Sequence, residues 1–165
     1  MKHTLSVPSP IGKLWLQEED GALVRVSFQP DAASQTEEET PLLGQAKQQL
    51  AEYFAGQRQA FDLPLRMQGT PFQQKVWAAL REIPYGETRS YGQIAAQVGN
   101  PKAGRAVGMA NNRNPIAIIV PCHRVVGSSG SLTGYAGGID RKIALLKLEG
   151  TDMSGFFIPK KGTAL

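Results

Sequence analysis

Residues 91–111 read YGQIAAQVGNPKAGRAVGMAN, and this stretch decides the architecture of the C-terminal half. Two short helices are expected, over about 91–98 and 102–111, separated by Gly99-Asn100-Pro101. Ile94, Ala95 and Val98 would pack the first, and Ala106, Val107 and Ala110 the second. Helix, three-residue turn containing Gly, then helix is the sequence form of a helix-turn-helix. On the N-terminal side, Gly69-Thr70-Pro71 marks a boundary: Thr70 can cap a helix whose first position is Pro71. Phe72, Val76 and Leu80 then form an i, i+4, i+8 stripe with Trp77 alongside, and Pro84-Tyr85-Gly86 stops that helix.

Downstream, Asn114-Pro115 leads into the apolar run Ile116–Val120, read as a buried strand. Residues 127–138 (GSSGSLTGYAGG) are too rich in Gly for a helix and suit a loop or small hairpin. A last helix over about 139–149 carries Ile143, Leu146 and Glu149, with Gly150 ending it. Residues 151–165 have no period and read as a loosely held tail.

The first 28 residues read as short strands, with Asp20-Gly21 between apolar alternations as a hairpin signal. Residues 29–41 form a polar, acidic connection. Leu43, Ala46, Leu50, Tyr53 and Phe54 share a helix face ending near Gly56, and Phe61, Leu63 and Leu65 alternate as a further strand. The expected domains are 1–68, 69–150 and a tail, 151–165.

Charge divides the chain at the same place. Residues 1–65 carry five Lys/Arg against nine Asp/Glu, and residues 66–165 carry thirteen against five, balances of −4 and +8. A basic half suits a polyanion, most often nucleic acid, although an ordinary solvated surface has the same composition. No apolar run reaches membrane-spanning length, and the N-terminus lacks the apolar core of a secretory signal. With a single free thiol, these features point to a reducing, cytoplasmic setting.

That thiol, Cys122, is the only cysteine and lies in Pro121-Cys122-His123-Arg124-Val125. One Cys and two His residues fall short of a Cys-based zinc site, so no metal or other cofactor is expected. Two readings remain open on these residues alone. Free Cys is commonly a buried, inert packing residue. An adjacent imidazole and guanidinium can equally lower a thiol pKa and make a nucleophile.

Taken together, Arg105-Ala106-Val107-Gly108, Asn114-Pro115, Pro121-Cys122-His123-Arg124-Val125 and Gly134-Tyr135-Ala136-Gly137-Gly138 closely resemble the O6-alkylguanine-DNA alkyltransferases. The resemblance covers residues 69–150 strongly and residues 1–65 only in length, strand content and Tyr53-Phe54-Ala55-Gly56. It implies a ribonuclease-H-like N-terminal α/β domain with a short antiparallel sheet. After it would come a winged-helix-like C-terminal domain with the helix-turn-helix.

It also implies direct reversal of DNA damage. The alkyl group of O6-alkylguanine, and of O4-alkylthymine, would pass irreversibly from duplex DNA to Cys122 after the base is flipped out. By resemblance, Cys122 is the acceptor, His123 the base acting through a water, and Glu149 the group orienting His123. Asn114 is the hinge residue, and Tyr91 donates to guanine N3. Tyr135, Ala136 and Val125 line the base pocket, with the Ala136 amide donating to O6 and the carbonyls of Cys122 and Val125 reading the exocyclic amine. Arg105 fills the gap left by the base, while Ala106 and Gly108 keep the helix thin enough for the minor groove. Thr70, Arg89 and Lys102 are expected phosphate contacts. The expected partner is double-stranded DNA containing O6-alkylguanine, met by a nucleoid-associated monomer without a membrane.

Two departures from the family pattern stand out. Asn111-Asn112-Arg113 gives the second helix a polar, cationic end, and the zinc site of some relatives lacks its ligands. The competing functions are a lesion-binding protein that leaves the alkyl group on DNA, a cysteine hydrolase, and a winged-helix transcription factor. Retention of Cys122, His123 and Glu149 argues against the first. Adjacency of Cys and His argues against the second, because catalytic pairs in those enzymes are usually distant in sequence. The third leaves the Cys-His-Arg block without a role.

Overall fold

The computed structural model describes residues 2–31, 37–132 and 134–159. It divides into two compact units, residues 1–67 with 115–119, and residues 68–114 with 120–165.

In the first unit, β1 (Lys2–Val7), β2 (Leu14–Glu19) and β3 (Ala22–Ser27) form an antiparallel meander in the order β1-β2-β3. Leu5 opposes Leu16, and Leu16 opposes Val26. The β2–β3 hairpin turns on Asp20 (φ 51°) and Gly21 (φ 80°). Positive φ at both central residues is the type I′ geometry, which matches strand twist and explains the Asp-Gly pair. Helix α1 (Pro41–Phe54) is capped by the Thr40 side chain accepting from the Leu43 amide, and it buries Leu43, Ala46, Gln49, Leu50 and Tyr53. Gln49 is satisfied at both ends of its amide, donating to the Asp62 carbonyl (3.0 Å) and accepting from the Asp62 amide (2.9 Å).

Two expected strands are absent as strands, and both segments instead cover the open edge of β3. Around Leu65, the Leu23 amide donates to the Pro64 carbonyl (2.8 Å) and the Arg66 amide to the Leu23 carbonyl (3.0 Å). Pairing is limited to one bridge; Pro64 has no N–H to extend it. Around Ile116, the Val26 amide donates to the Pro115 carbonyl (3.0 Å) and the Ala117 amide to the Val26 carbonyl (2.9 Å). The chain then turns: Ile118 takes φ 71°, and the Ile119 amide reaches back to the Ala117 carbonyl. The run Ile116–Val120 is apolar because Ile116, Ile118 and Val120 are buried, and periodicity alone cannot separate a buried turn from a buried strand.

In the second unit, α2 (Pro71–Arg81) begins with a full capping box between Thr70 and Gln73, with Pro71 at its first turn. Trp77 donates its indole N–H to the Ala110 carbonyl (2.9 Å), tying α2 to α4 (Gly104–Asn112). Helix α3 (Tyr91–Gln97) starts with a second capping box, Ser90 with Gln93. Gly99 at φ 90° ends it and turns the chain toward α4, completing the expected helix-turn-helix. Ala106, expected in the α4 packing face, is exposed; Val107, Gly108, Ala110 and Asn111 are the buried residues. A two-residue parallel pair, β4 (Arg89–Ser90) with β5 (Val125–Val126), leads out of the Cys122–Arg124 turn.

Helix α5 (Ile139–Leu148) packs Leu146 against Val126 and Leu132, with Ile139, Ile143, Met153 and Phe156 around them. The last two come from the segment expected to be a loose tail. Through residue 159 it is held: the Phe157 amide donates to the Gly130 carbonyl (3.1 Å) and the Leu132 amide to the Phe157 carbonyl (2.8 Å). Residues 160–165 of that expected tail lie outside the described residues. Residues 32–36 of the acidic connection do too, whereas Glu38 next to them donates its amide to the Thr4 carbonyl (2.8 Å). Among the described residues, no helix is long and apolar enough to cross a membrane, and no cluster of His, Cys, Asp and Glu suits a metal ion.

Candidate active site

Cys122 opens a single 3-10 turn, Cys122–Arg124, held by the Cys122 amide on the Val120 carbonyl (2.8 Å) and the Arg124 amide on the Pro121 carbonyl (3.0 Å). Within this one turn the His123 and Arg124 side chains converge on the Glu149 carboxylate. All three residues of the turn are buried: Cys122 is 5% exposed, His123 0% and Arg124 6%.

Two asparagines at the end of α4 fix the backbone around the thiol. Asn114 donates its side-chain amide to the Val120 carbonyl (2.8 Å), and Asn111 donates to the Cys122 carbonyl (3.3 Å). Burial pushes the Cys122 thiol up; a hydrogen bond from the Asn114 side chain and the positive charge of Lys142 oppose that push without reversing it. The adjacent His and Arg therefore do not by themselves make a thiolate, contrary to the simplest reading of Cys-His-Arg. Arg124 directs its charge elsewhere.

Glu149 is where that charge goes. It sits just past α5, buried, and its carboxylate accepts three hydrogen bonds. His123 Nε2 lies 2.8 Å from Oε2, Arg124 Nη2 donates to Oε2 (2.9 Å), and Arg124 Nε donates to Oε1 (2.8 Å). The remaining Arg124 arm donates to the Ile83 carbonyl (2.7 Å), and its guanidinium lies 5.8 Å from the centre of the Tyr85 ring. Burial alone would raise the Glu149 carboxyl, but the hydrogen bonds from His123 and Arg124 outweigh it and hold the group at about 2. His123 is lowered, chiefly by burial, with Arg124 and Lys142 adding to the effect against the pull of Glu149. A neutral imidazole beside an ionised carboxylate donates through Nε2–H, leaving Nδ1 as an acceptor. That Nδ1 is buried and has no hydrogen-bond partner.

Lys142 is the residue that sequence reading missed. It is fully buried, donates Nζ to the Val125 carbonyl (2.5 Å) and lies 5.9 Å from the centre of the Tyr91 ring. Burial lowers it from 10.5 to about 8, while the charge of a Cys122 thiolate would raise it. A signal existed: Lys142 falls three residues after Ile139 and four before Leu146, inside the apolar stripe of α5.

The expected base-pocket residues divide. Tyr91 and Tyr135 are buried; the Tyr135 hydroxyl has no hydrogen-bond partner, and burial raises its pKa well above the usual phenol value. Ala136 is exposed. The Val125 carbonyl already accepts from Lys142, which engages one lone pair, whereas that of Cys122 accepts from both Asn111 and the Val125 amide and has both engaged.

On α4, Arg105, Ala106 and Met109 are exposed, Met109 at 66%, whereas Gly108 faces inward. Lys102 is exposed just before α4. Thr70 is exposed, with its hydroxyl accepting from the Gln73 amide (3.1 Å). Arg89 is half-buried and bonds Glu87 (3.1 Å) and the Thr88 carbonyl (2.8 Å).

The sequence matches two family profiles in tandem. Residues 1–67 fit "6-O-methylguanine DNA methyltransferase, ribonuclease-like domain", and residues 71–151 fit "6-O-methylguanine DNA methyltransferase, DNA binding domain". The chain belongs to this methyltransferase family. A methylated-DNA–protein-cysteine methyltransferase of Methanosarcina acetivorans is 55% identical over 151 residues, covering 87% of this chain and 95% of its own. The constitutive one of Bacillus subtilis is 51% identical over 158 residues, covering 90% and 96%. A solved Mycobacterium tuberculosis relative in complex with DNA superposes with a TM-score of 0.83 at 52% identity, covering 90% of this chain and 93% of that one. Family membership agrees with the antiparallel sheet of the first unit and the helical second unit that carries the helix-turn-helix.

Proposed function

We propose that this protein repairs duplex DNA by moving the alkyl group of O6-alkylguanine, and of O4-alkylthymine, irreversibly onto Cys122. Family membership supports the reaction class, and the solved relative with DNA supports the substrate polymer. The observation that carries the reading is the buried constellation of Cys122, His123 and Glu149, whose one unpartnered acceptor is His123 Nδ1.

Cys122 Sγ attacks the alkyl carbon as the bond from that carbon to guanine O6 breaks. The thiol proton goes to His123 Nδ1 through a bridging water, and the new imidazolium is stabilised by Glu149. The base departs as guanine by taking a proton at N3 from Tyr91, which neutralises charge on the leaving group. Asn114 holds the thiol in place. Tyr135, Val125 and the backbone at Ala136 bound the base. The product is a thioether, a poor leaving group, so each molecule reacts once.

A thiol only 5% exposed supports base flipping, because a base inside the stack could not bring its O6 substituent to Sγ. The exposed face of α4, with Arg105 and Ala106, enters the minor groove, and Arg105 occupies the space left by the flipped nucleotide. Helix α4 has no side-chain cap, so its first amides are open to phosphate, with Lys102 beside them. Thr70 and Arg89 add phosphate contacts, and a chromosomal substrate implies association with the nucleoid.

Intact-mass measurement after mixing with an O6-methylguanine duplex tests this. The expected result is one methylene's mass gained per molecule, localised to the Cys122 peptide and abolished by Cys122→Ala. Tight binding without any mass gain would refute transfer and favour the lesion-binding function.

A further inference from the structure

The Glu149 carboxylate is shared in a way that a Cys–His–carboxylate relay does not require. Oε2 accepts from both His123 Nε2 (2.8 Å) and Arg124 Nη2 (2.9 Å), and Oε1 accepts from Arg124 Nε (2.8 Å). Both carboxylate oxygens are thus gripped by one planar fork, whose third arm is anchored on the Ile83 carbonyl (2.7 Å). A carboxylate hydrogen-bonded to a histidine alone could rotate, or could accept the proton that the histidine gains. Neither is open to Glu149, which is fixed at both oxygens and held ionised far below neutrality.

We propose that Arg124 is a positioning residue for alkyl transfer: its fork fixes Glu149 as an unprotonated acceptor, so that His123 donates through Nε2 and presents Nδ1 to the thiol. This rests on the reading of His123 as the base. The proton that leaves Cys122 then stops on the imidazole. Neutral His123 is maintained by burial and by the positive charges of Arg124 and Lys142, against the pull of Glu149. The other titratable groups around it are Cys122 on the same turn, Tyr85, which lies against the Arg124 guanidinium, and the buried Tyr135, which feels the charges of Cys122 and Glu149. A purely structural ion pair would need no histidine on the shared oxygen and no unpartnered Nδ1 on the opposite side of the ring.

The test is single-turnover methyl transfer from an O6-methylguanine duplex, followed from about pH 5 to about pH 9, across the range where histidine titrates. Arg124→Gln is expected to slow transfer at neutral pH by about tenfold or more. It is also expected to move the acid limb of the profile to higher pH, since His123 loses an opposing charge while Glu149 remains. Arg124→Lys keeps the charge and loses the fork, so the acid limb should return toward the wild-type position while the rate stays reduced. A slower Arg124→Gln with a superimposable profile, or one reacting at the wild-type rate, overturns the proposal.

Ring-nitrogen NMR of the wild-type protein guards against a variant that does not fold, and only two histidines need assigning. Nε2 protonated and Nδ1 bare at neutral pH is the expected result; the opposite tautomer or an imidazolium overturns it. His123→Gln separates the two levels of the reading. Full activity in that variant would remove the base itself, whereas an inactive His123→Gln beside an unshifted Arg124→Gln removes only the role given to Arg124.

Discussion

Replacing Lys142 with Met should make the protein more stable and less active, with the stability gain disappearing in alkali. The ammonium is fully buried and titrates at about 8 instead of 10.5, a difference worth about 3 kcal/mol at neutral pH. Met keeps most of the stem's volume and removes the charge, while leaving the Val125 carbonyl without its donor, a loss of about 1 kcal/mol. The expected net gain near pH 7 is therefore about 2 kcal/mol.

The sign of the pH dependence follows from the same shift. Between about 8 and 10.5 the unfolded chain binds the Lys142 proton and the folded protein does not, so wild-type stability rises with pH across that window. By about pH 9.5 the desolvation cost has shrunk by about 2 kcal/mol, and the variant's advantage should be nearly gone. Urea unfolding at both pH values, followed by tryptophan fluorescence, measures it. Transfer should slow by about tenfold or more, because an opposite charge nearby helps the thiolate form. A Lys142→Met protein that is less stable than wild type by the same amount at both pH values would refute the reasoning.

Three further perturbations probe other contacts. Glu149 is held at about 2 against 4.5, so its stabilisation is present above about pH 4.5 and lost as pH falls toward 2. Glu149→Gln should flatten that acid limb in thermal melts and cost about 3 kcal/mol at neutral pH, since it leaves the Arg124 guanidinium buried without its carboxylate. Gly69→Ala would place a Cβ 2.5 Å from the Trp77 ring and 2.7 Å from Gln73 Oε1, with an expected cost of about 1–3 kcal/mol in denaturant titration. Gly130→Ala combines φ +93° with a Cβ only 2.1 Å from the Gly155 carbonyl oxygen. It should release residues 151–159 from the 127–132 loop, read as loss of amide protection at Leu132 and Phe157.

Local chemistry accounts for what the sequence made legible. Thr70-Pro71 announced a helix start through its cap, Asp20-Gly21 its hairpin, and Gly56 and Gly99 their helix ends, because each depends on residues within one turn. The apolar run at 116–120 and the alternation at 61–65 misled because burial was right and hydrogen-bond partners were not. Whether such a segment pairs along its length depends on Pro64 and on the turn at Ile118. The tail at 151–159 has no period because its anchors are two backbone bonds and scattered apolar contacts. At the site, adjacency of Cys122, His123 and Arg124 named the residues but not their directions. One turn sends the imidazole and the guanidinium to the same distant carboxylate, a convergence 25 residues away in sequence that no local pattern contains.

The raised, nearly inaccessible thiol bears on the shelf life of a protein that is consumed when it acts. Small electrophiles and peroxides react with exposed thiolates, and a resting Cys122 is neither exposed nor ionised. The reserve of unspent molecules is thereby protected from background chemistry, including free alkylating agents of the kind that damage DNA. Reactivity is kept for a partner that can deliver its carbon into the interior, so the same burial that slows casual loss also acts as a filter on what counts as a substrate.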